Sequence, residues 1–318
     1  MKTTRRPKTG HERHVILITG ISGAIGRNLT RRLADTAQVV GIDLQPFHGK
    51  PKAVEVHILD VRKRRAEDVF RTAGVRAVVH LSQVHNPRMN DSRRHELNIS
   101  IAHAVFGYVQ RYRIPKIILL STANAYGALP DNPVNIKEDA PLNAARTFPE
   151  IRDQITVDMY AQSFFWKYPE IETVILRPVH ILGPTVRNAA SNYLRLPTAP
   201  VILGYDPMLQ VIHEDDVVRA ILLALQPGIK GIFNINGPGE LPLSEILNLL
   251  KHRAIPVPHA LLKAFSLVPL DFFSFKILPD EWDFIRYSCL VDGSQAKQLL
   301  GFEPQYSLIE TITSILSS

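Results

Sequence analysis

The sequence predicts an α/β protein, a doubly wound parallel sheet of the Rossmann type with a smaller mixed C-terminal lobe. Three observations carry that prediction. Short β-branched runs alternate with amphipathic segments through the first half. A strand-like run leads straight into the spacing Gly20-x-x-Gly23-x-x-Gly26 and then into a helical pattern. After Arg177 the order turns irregular, punctuated by Pro178, Pro184, Pro197, Pro200 and Pro207.

The first strand is expected over His14 to Thr19, and others over Gln38 to Asp43, Glu55 to Leu59, Ala77 to Ser82, Lys116 to Ser121 and Thr173 to Arg177. These runs are apolar almost without interruption, as strands covered on both faces are. Ile25, Leu29 and Leu33 recur at helical spacing within a helix over Ile25 to Ala34. A longer helix is expected from Asp91 to Tyr112, and another from near Glu150 to before Pro169. The chain therefore divides into a basic tail over 1–13, a nucleotide-binding Rossmann domain over 14–178, and a mixed lobe over 179–318 that returns some elements to the first core. No repeat of fixed period is visible.

With 318 residues, 45% hydrophobic and 21% charged, the chain can bury a large core. Its net charge of +7 is concentrated: Lys2, Arg5, Arg6, Lys8 and Arg13 against Glu12 place +4 in the tail and leave +3 for the body. No basic stripe interleaved with aromatics follows, so a nucleic-acid partner is not expected. The single cysteine, Cys289, permits no internal disulfide and no thiolate cluster, so no metal is expected and a reducing cytoplasm fits. No apolar run reaches eighteen residues. The stretch from His259 to Leu278 is interrupted by Lys263, Pro269, Asp271 and Lys276 and reads as a lid or lobe helix pair.

Strand, glycine turn and helix in that order make a site for a pyrophosphate. Glycines let backbone approach the phosphates, whose charge meets free N–H groups at the helix start. The second strand ends in Asp43, placed to accept hydrogen bonds from ribose hydroxyls and to repel a 2′-phosphate; Leu44 and Gln45 supply no arginine to neutralise one. NAD is therefore favoured over NADP.

Thr19-Gly20-Ile21-Ser22-Gly23-Ala24-Ile25-Gly26 resembles the TGxxGxxG turn of the extended short-chain dehydrogenase/reductases, the epimerase/dehydratase superfamily. The resemblance continues in order through Asp60-Val61, His80-Leu81-Ser82, Asn98, the segment Leu120 to Gly127, Arg177-Pro178 to Gly183-Pro184, and Gln210 to Val217. It implies that Gly20, Ser22, Gly23, Ala24, Ile25, Gly26, Asp43, Asp60, Val61, Leu81, Ser82, Asn98, Pro178 and His180 hold the cofactor. It also implies that Arg187, Asn192 and Arg195 face a nucleotide-sugar phosphate, with Gln210 and Trp282 available to a ligand in the lobe. Family members often dimerise by pairing their two long helices into a four-helix bundle, and Phe106, Val109, Phe164 and Phe165 are candidate contacts. A packing role against the sheet explains these four equally well.

Enzymes of that family use Tyr-x-x-x-Lys on one helical face, the lysine lowering the tyrosine pKa for proton exchange with the substrate. Counting back from Arg177 puts Glu150 at the tyrosine position, Gln154 at the lysine position and Asp158 at the acidic position that often follows. Thr122 keeps the family's hydroxyl. Glu150 is a candidate base, with Tyr126, His180, His213 and Tyr160 as weaker ones. Two functions remain open: an NAD-dependent epimerase/dehydratase-type oxidoreductase acting on a hydroxyl or ketone of a nucleotide sugar or steroid-like alcohol, or a non-catalytic NAD(H)-binding sensor or accessory protein.

Overall fold

In the computed structural model of the chain, residues 14–84, 89–146, 149–258 and 279–317 are described. The basic tail and the stretch from His259 to Leu278 lie outside the described residues. Seven strands form the main sheet: β1 (Val15–Thr19), β2 (Gln38–Asp43), β3 (Glu55–Ile58), β4 (Val75–His80), β5 (Lys116–Leu120), β6 (Glu172–Pro178) and β11 (Gly231–Ile235). Their order is β11-β6-β5-β4-β1-β2-β3, and every pairing is parallel. The order reverses between β1 and β4, which opens a crevice at the carboxyl ends of those strands.

Alternation along the strands sends successive side chains to opposite faces. Ile16 and Ile18 of β1 join a core with Leu29 and Leu33 of α1 (Ala24–Leu33) and Val217, Val218 and Ile221 of α6 (Glu214–Ala224). Val15 and Leu17 join the opposite core with Val69 and Phe70 of α2 (Arg64–Thr72), Val105, Phe106 and Val109 of α3 (Asp91–Arg111) and Phe164 of α4 (Pro149–Lys167). Asn90 starts α3 by accepting hydrogen bonds from the amides of Ser92 and Arg93. Because Phe106, Val109 and Phe164 are buried within this chain, they are packing residues; only half-buried Phe165 of the four candidate dimer contacts retains partial exposure.

The expected strands appear, with β4 shifted two residues toward the N-terminus so that Leu81 and Ser82 lie just beyond it. The seventh strand, β11, and α6 return from the later half to complete the first core. The remaining lobe packs Leu194, Ile202, Leu247, Val257, Trp282 and Ile312 around short paired strands, β8 (Thr198–Ile202) with β13 (Arg253–Val257) and β9 (Met208–Leu209) with β12 (Leu241–Pro242). A third pair, β7 (His180–Leu182) with β10 (Val211–His213), joins the lobe to the end of β6. Among the described residues no helix is long and apolar enough to cross a membrane.

Candidate functional site

The turn after β1 is built by close backbone approach. Gly20 has φ +76°, and a Cβ there would lie 2.8 Å from the Leu81 carbonyl carbon and the Ser82 nitrogen. A Cβ on Gly26 would lie 2.6 Å from the Gly20 oxygen. Gly23 is different: it is exposed, has φ −68°, and a Cβ would meet only the Gly20 oxygen, at 3.4 Å. It is also the N-cap of α1, and no side chain caps that helix. The first-turn N–H groups of α1 therefore point their partial positive charge at open space beside an exposed glycine.

Asp43 ends β2 on the same side. Its Oδ2 accepts from the Ser22 amide at 2.9 Å and its Oδ1 from the Gln45 amide at 3.0 Å, and among the described residues the carboxylate has no cationic partner. Asp60 sits beyond β3 in a different setting. Arg62 donates to both of its oxygens, at 2.6–3.2 Å, and this pairing holds the Asp60 carboxyl below the usual range. Val61 beside it is buried.

A recess continues from the ends of β4 and β5 to the face of α4. Leu81, Ser82, Asn98, Ser121, Asp153 and Gln154 line it. Asn98 fixes one wall: its Oδ1 accepts from the Val84 amide at 2.8 Å while its Nδ2 donates to Asp153 at 3.0 Å. The buried Asp153 carboxylate also receives Arg94 Nε at 3.3 Å and contacts His95 Nδ1 at 2.7 Å, which clamps α3 to α4 behind the recess. His80 underlies it with Nδ1 2.7 Å from the Thr19 hydroxyl; burial pushes its pKa down to about 4, so the ring is neutral.

The register of α4 is set by a buried ion pair. Arg177 donates from Nε and Nη2 to Asp158 at 2.9 and 2.7 Å, and Ser121 and Gln162 donate to the same carboxylate at 2.6 and 2.8 Å. Burial opposes the Arg177 charge, but Asp158 more than compensates and keeps its pKa raised. Four residues before Asp158, Gln154 faces the recess. Glu150 falls one turn earlier in α4, and its side chain lies outside those described.

Several expected residues do other work. Tyr126 is 1% exposed; its hydroxyl donates to Asn234 at 2.8 Å and accepts from Arg177 at 2.7 Å, and burial raises its pKa to about 12, so it is no proton donor to the cleft. Tyr160 packs its ring on His103 and Phe106 between α3 and α4 rather than in the recess. His213 accepts from the Asp215 amide as the N-cap of α6 and stacks on Tyr306 at 3.7 Å, a structural role. Gln210 is buried with its amide spent on the backbone of Val291, at 2.8 and 3.2 Å, so it does not face a ligand. Trp282 is buried in the lobe core.

Thr122 is half-buried and its Oγ1 accepts from the Asn124 amide at 3.2 Å, capping the short turn Ala123–Tyr126, while its proton has no acceptor among the described residues. Pro178 ends β6, and His180 opens β7. Arg187 is exposed and Arg195 half-buried; their guanidiniums both hydrogen-bond the Val186 carbonyl, at 3.0 and 3.2 Å. Asn192 lies on the intervening helix α5 (Ala189–Leu194), half-buried.

A family model described as the NAD dependent epimerase/dehydratase family matches residues 16–236. An uncharacterized protein of Mycobacterium tuberculosis is 28% identical over 308 residues, spanning 93% of this chain and 81% of that protein. Among solved structures, UDP-glucose 4-epimerase of Thermotoga maritima with UDP-glucose superposes with a TM-score of 0.74 at 20% identity, covering 95% of this chain and 97% of its own. The dTDP-glucose 4,6-dehydratase of Bacillus anthracis in complex with NAD gives 0.73 at 17% identity, with 96% of each chain covered. At such identities these structures show a shared fold.

Proposed function

The chain belongs to the NAD-dependent epimerase/dehydratase family, and on that premise we propose that it binds NAD(H) and uses it to oxidise or reduce a hydroxyl or ketone of a nucleotide sugar. The uncapped start of α1 beside Gly23 carries this reading, because among the described residues no side chain caps that helix N-terminus, which leaves its N–H groups for a pyrophosphate. Gly20, Ser22, Ala24, Ile25 and Gly26 frame that cradle. Asp43, with lone pairs left after its two backbone contacts, takes the adenosine ribose, and its charge excludes a 2′-phosphate. Asp60 and Val61 bound the adenine end; Leu81, Ser82 and Asn98 line the path toward Pro178 and His180.

When bound, NAD supplies a hydride acceptor or donor. The protein's own groups orient the substrate: Thr122 donates to the reacting oxygen, while Arg187 and Arg195, gathered on one carbonyl, meet phosphate oxygens with Asn192 between them. Gln154 reaches the cofactor ribose as a neutral hydrogen-bonding group in the position where the family's lysine stands. Solved relatives of this fold carry NAD with UDP, UDP-glucuronic acid or UDP-glucose, which motivates the nucleotide-sugar class.

The exchange of lysine for Gln154 also favours a second reading, an NAD(H)-binding sensor or accessory protein without turnover. Incubation with NAD⁺ and a panel of UDP- and dTDP-sugars and secondary alcohols, followed at 340 nm and by chromatography of the sugars, separates them. Turnover of any member supports the enzyme. Tight NAD⁺ binding without turnover supports the second reading.

A further inference from the structure

We infer that the His180 imidazole carries the substrate proton, in place of the tyrosine hydroxyl that α4 does not supply. The inference rests on the oxidoreductase reading proposed above.

The segments leaving β5 and β6 begin side by side: Leu120 registers with Leu176, and the Ser121 amide donates to the Leu176 oxygen at 2.8 Å. Thr122 lies on one segment and His180 on the other, both at the carboxyl edge of the sheet. Phe284 closes the far side. Its ring meets His180 edge-on at 6.1 Å and 84°, and it packs against the cluster of Ala125, which follows Thr122 closely, Ala144 and Ile155 of α4. Phe284 thus links His180 to the cluster that holds Ala125, three residues after Thr122, and Ile155, next to Gln154.

Three histidines with lowered pKa differ in one respect. His80 is engaged with Thr19, and His213 with the Asp215 amide. His180 has no hydrogen-bond partner among the described residues, yet it is only half-buried at the opening of β7. Burial pushes its pKa down to about 4, so at neutral pH the ring holds a free lone pair and one N–H. The same burial makes the ring a weak base and its imidazolium a strong acid, so the ring takes the proton only as the hydride leaves and returns it readily in the reverse direction.

The step balances. In oxidation the substrate O–H bond breaks and its proton passes to the His180 ring nitrogen, while the C–H bond breaks with its electron pair, the hydride going to nicotinamide C4. A ketone, a dihydronicotinamide and an imidazolium result. Reduction runs the same transfers backward.

Two measurements test this. Long-range ¹H–¹⁵N spectra of the imidazoles, assigned with His180→Ala, should show a neutral His180 ring whose resonances move when NAD⁺ is added; resonances indifferent to NAD⁺ overturn the assignment. With any panel member that wild type turns over, His180→Ala should lose about 100-fold or more in rate at saturating NAD⁺, partly restored by added imidazole. An unimpaired His180→Ala overturns the assignment alone. A wild type inert toward the whole panel overturns the oxidoreductase reading and this assignment with it.

Discussion

Gly20, Gly23 and Gly26 share one motif and carry different physical demands. A Cβ at Gly20 or Gly26 would drive into backbone at 2.6–2.8 Å, and Gly20 also needs a positive φ. Alanine at either should therefore cost about 1–3 kcal/mol or more in chemical denaturation. Gly23 has an ordinary φ and space for a methyl group, so Gly23→Ala should fold within about 0.5 kcal/mol of wild type and still lose NAD⁺ affinity, because the methyl occupies the face offered to the pyrophosphate. Paired denaturation and NAD⁺ titration of the three variants check this; equal destabilisation by all three would contradict it. Cys289 makes a second residue-scale prediction. Burial pushes its thiol pKa up to about 12, so it should resist iodoacetamide at pH 8 in the folded protein and react on unfolding.

Among the elements, α4 matters most because one buried pair sets its register. Asp158→Asn would leave Arg177, 1% exposed, without its counter-charge, and should cost about 3–5 kcal/mol, measured by urea denaturation. The same pair explains how much of the site was legible in sequence. Spacing back from Arg177 sufficed to put Gln154 on the recess, since a strand and a helix of fixed rise leave little freedom between them. For Tyr126 and Gln210, motif position does not reveal whether a polar head is already engaged, and both are held by contacts 51 or more residues away in sequence. The strands β1, β2, β4, β5 and β6 were legible because burial on both faces demands unbroken apolar runs; β3, expected to be covered likewise, is an edge strand with Glu55 and Ile58 exposed. Short lobe strands such as Met208–Leu209 carry no such demand. The short α2 is strongly amphipathic, with Ala66, Val69 and Phe70 buried on one stripe among charged residues, but spans only nine residues.

At the scale of the whole molecule, two histidines with lowered pKa, buried His80 and half-buried His180, tie stability to pH. His80 and His180 fall from an ordinary value near 6.5 to about 4 on folding, through desolvation. Between those values the unfolded chain binds protons that the folded chain refuses, so this stabilisation is complete above pH 6.5 and is lost as the pH falls toward 4. The melting temperature should drop across that window, and less steeply in His80→Gln than in wild type. A proposed homodimer through α3 and α4 would use their outer face, where Met159 and Trp166 are 56% and 78% exposed, in place of the buried phenylalanines. Sedimentation of Trp166→Glu against wild type tests it, with a monomer expected for the variant and an unchanged dimer counting against that face.

The central claim is that the uncapped start of α1 and the carboxylate of Asp43 together make an NAD site. Calorimetric titration of the protein with NAD⁺ and with NADP⁺ tests it most directly. The structure predicts saturable NAD⁺ binding at least about tenfold tighter than NADP⁺, or ~1.4 kcal/mol. Absence of binding by either dinucleotide, or a preference for NADP⁺, would contradict it.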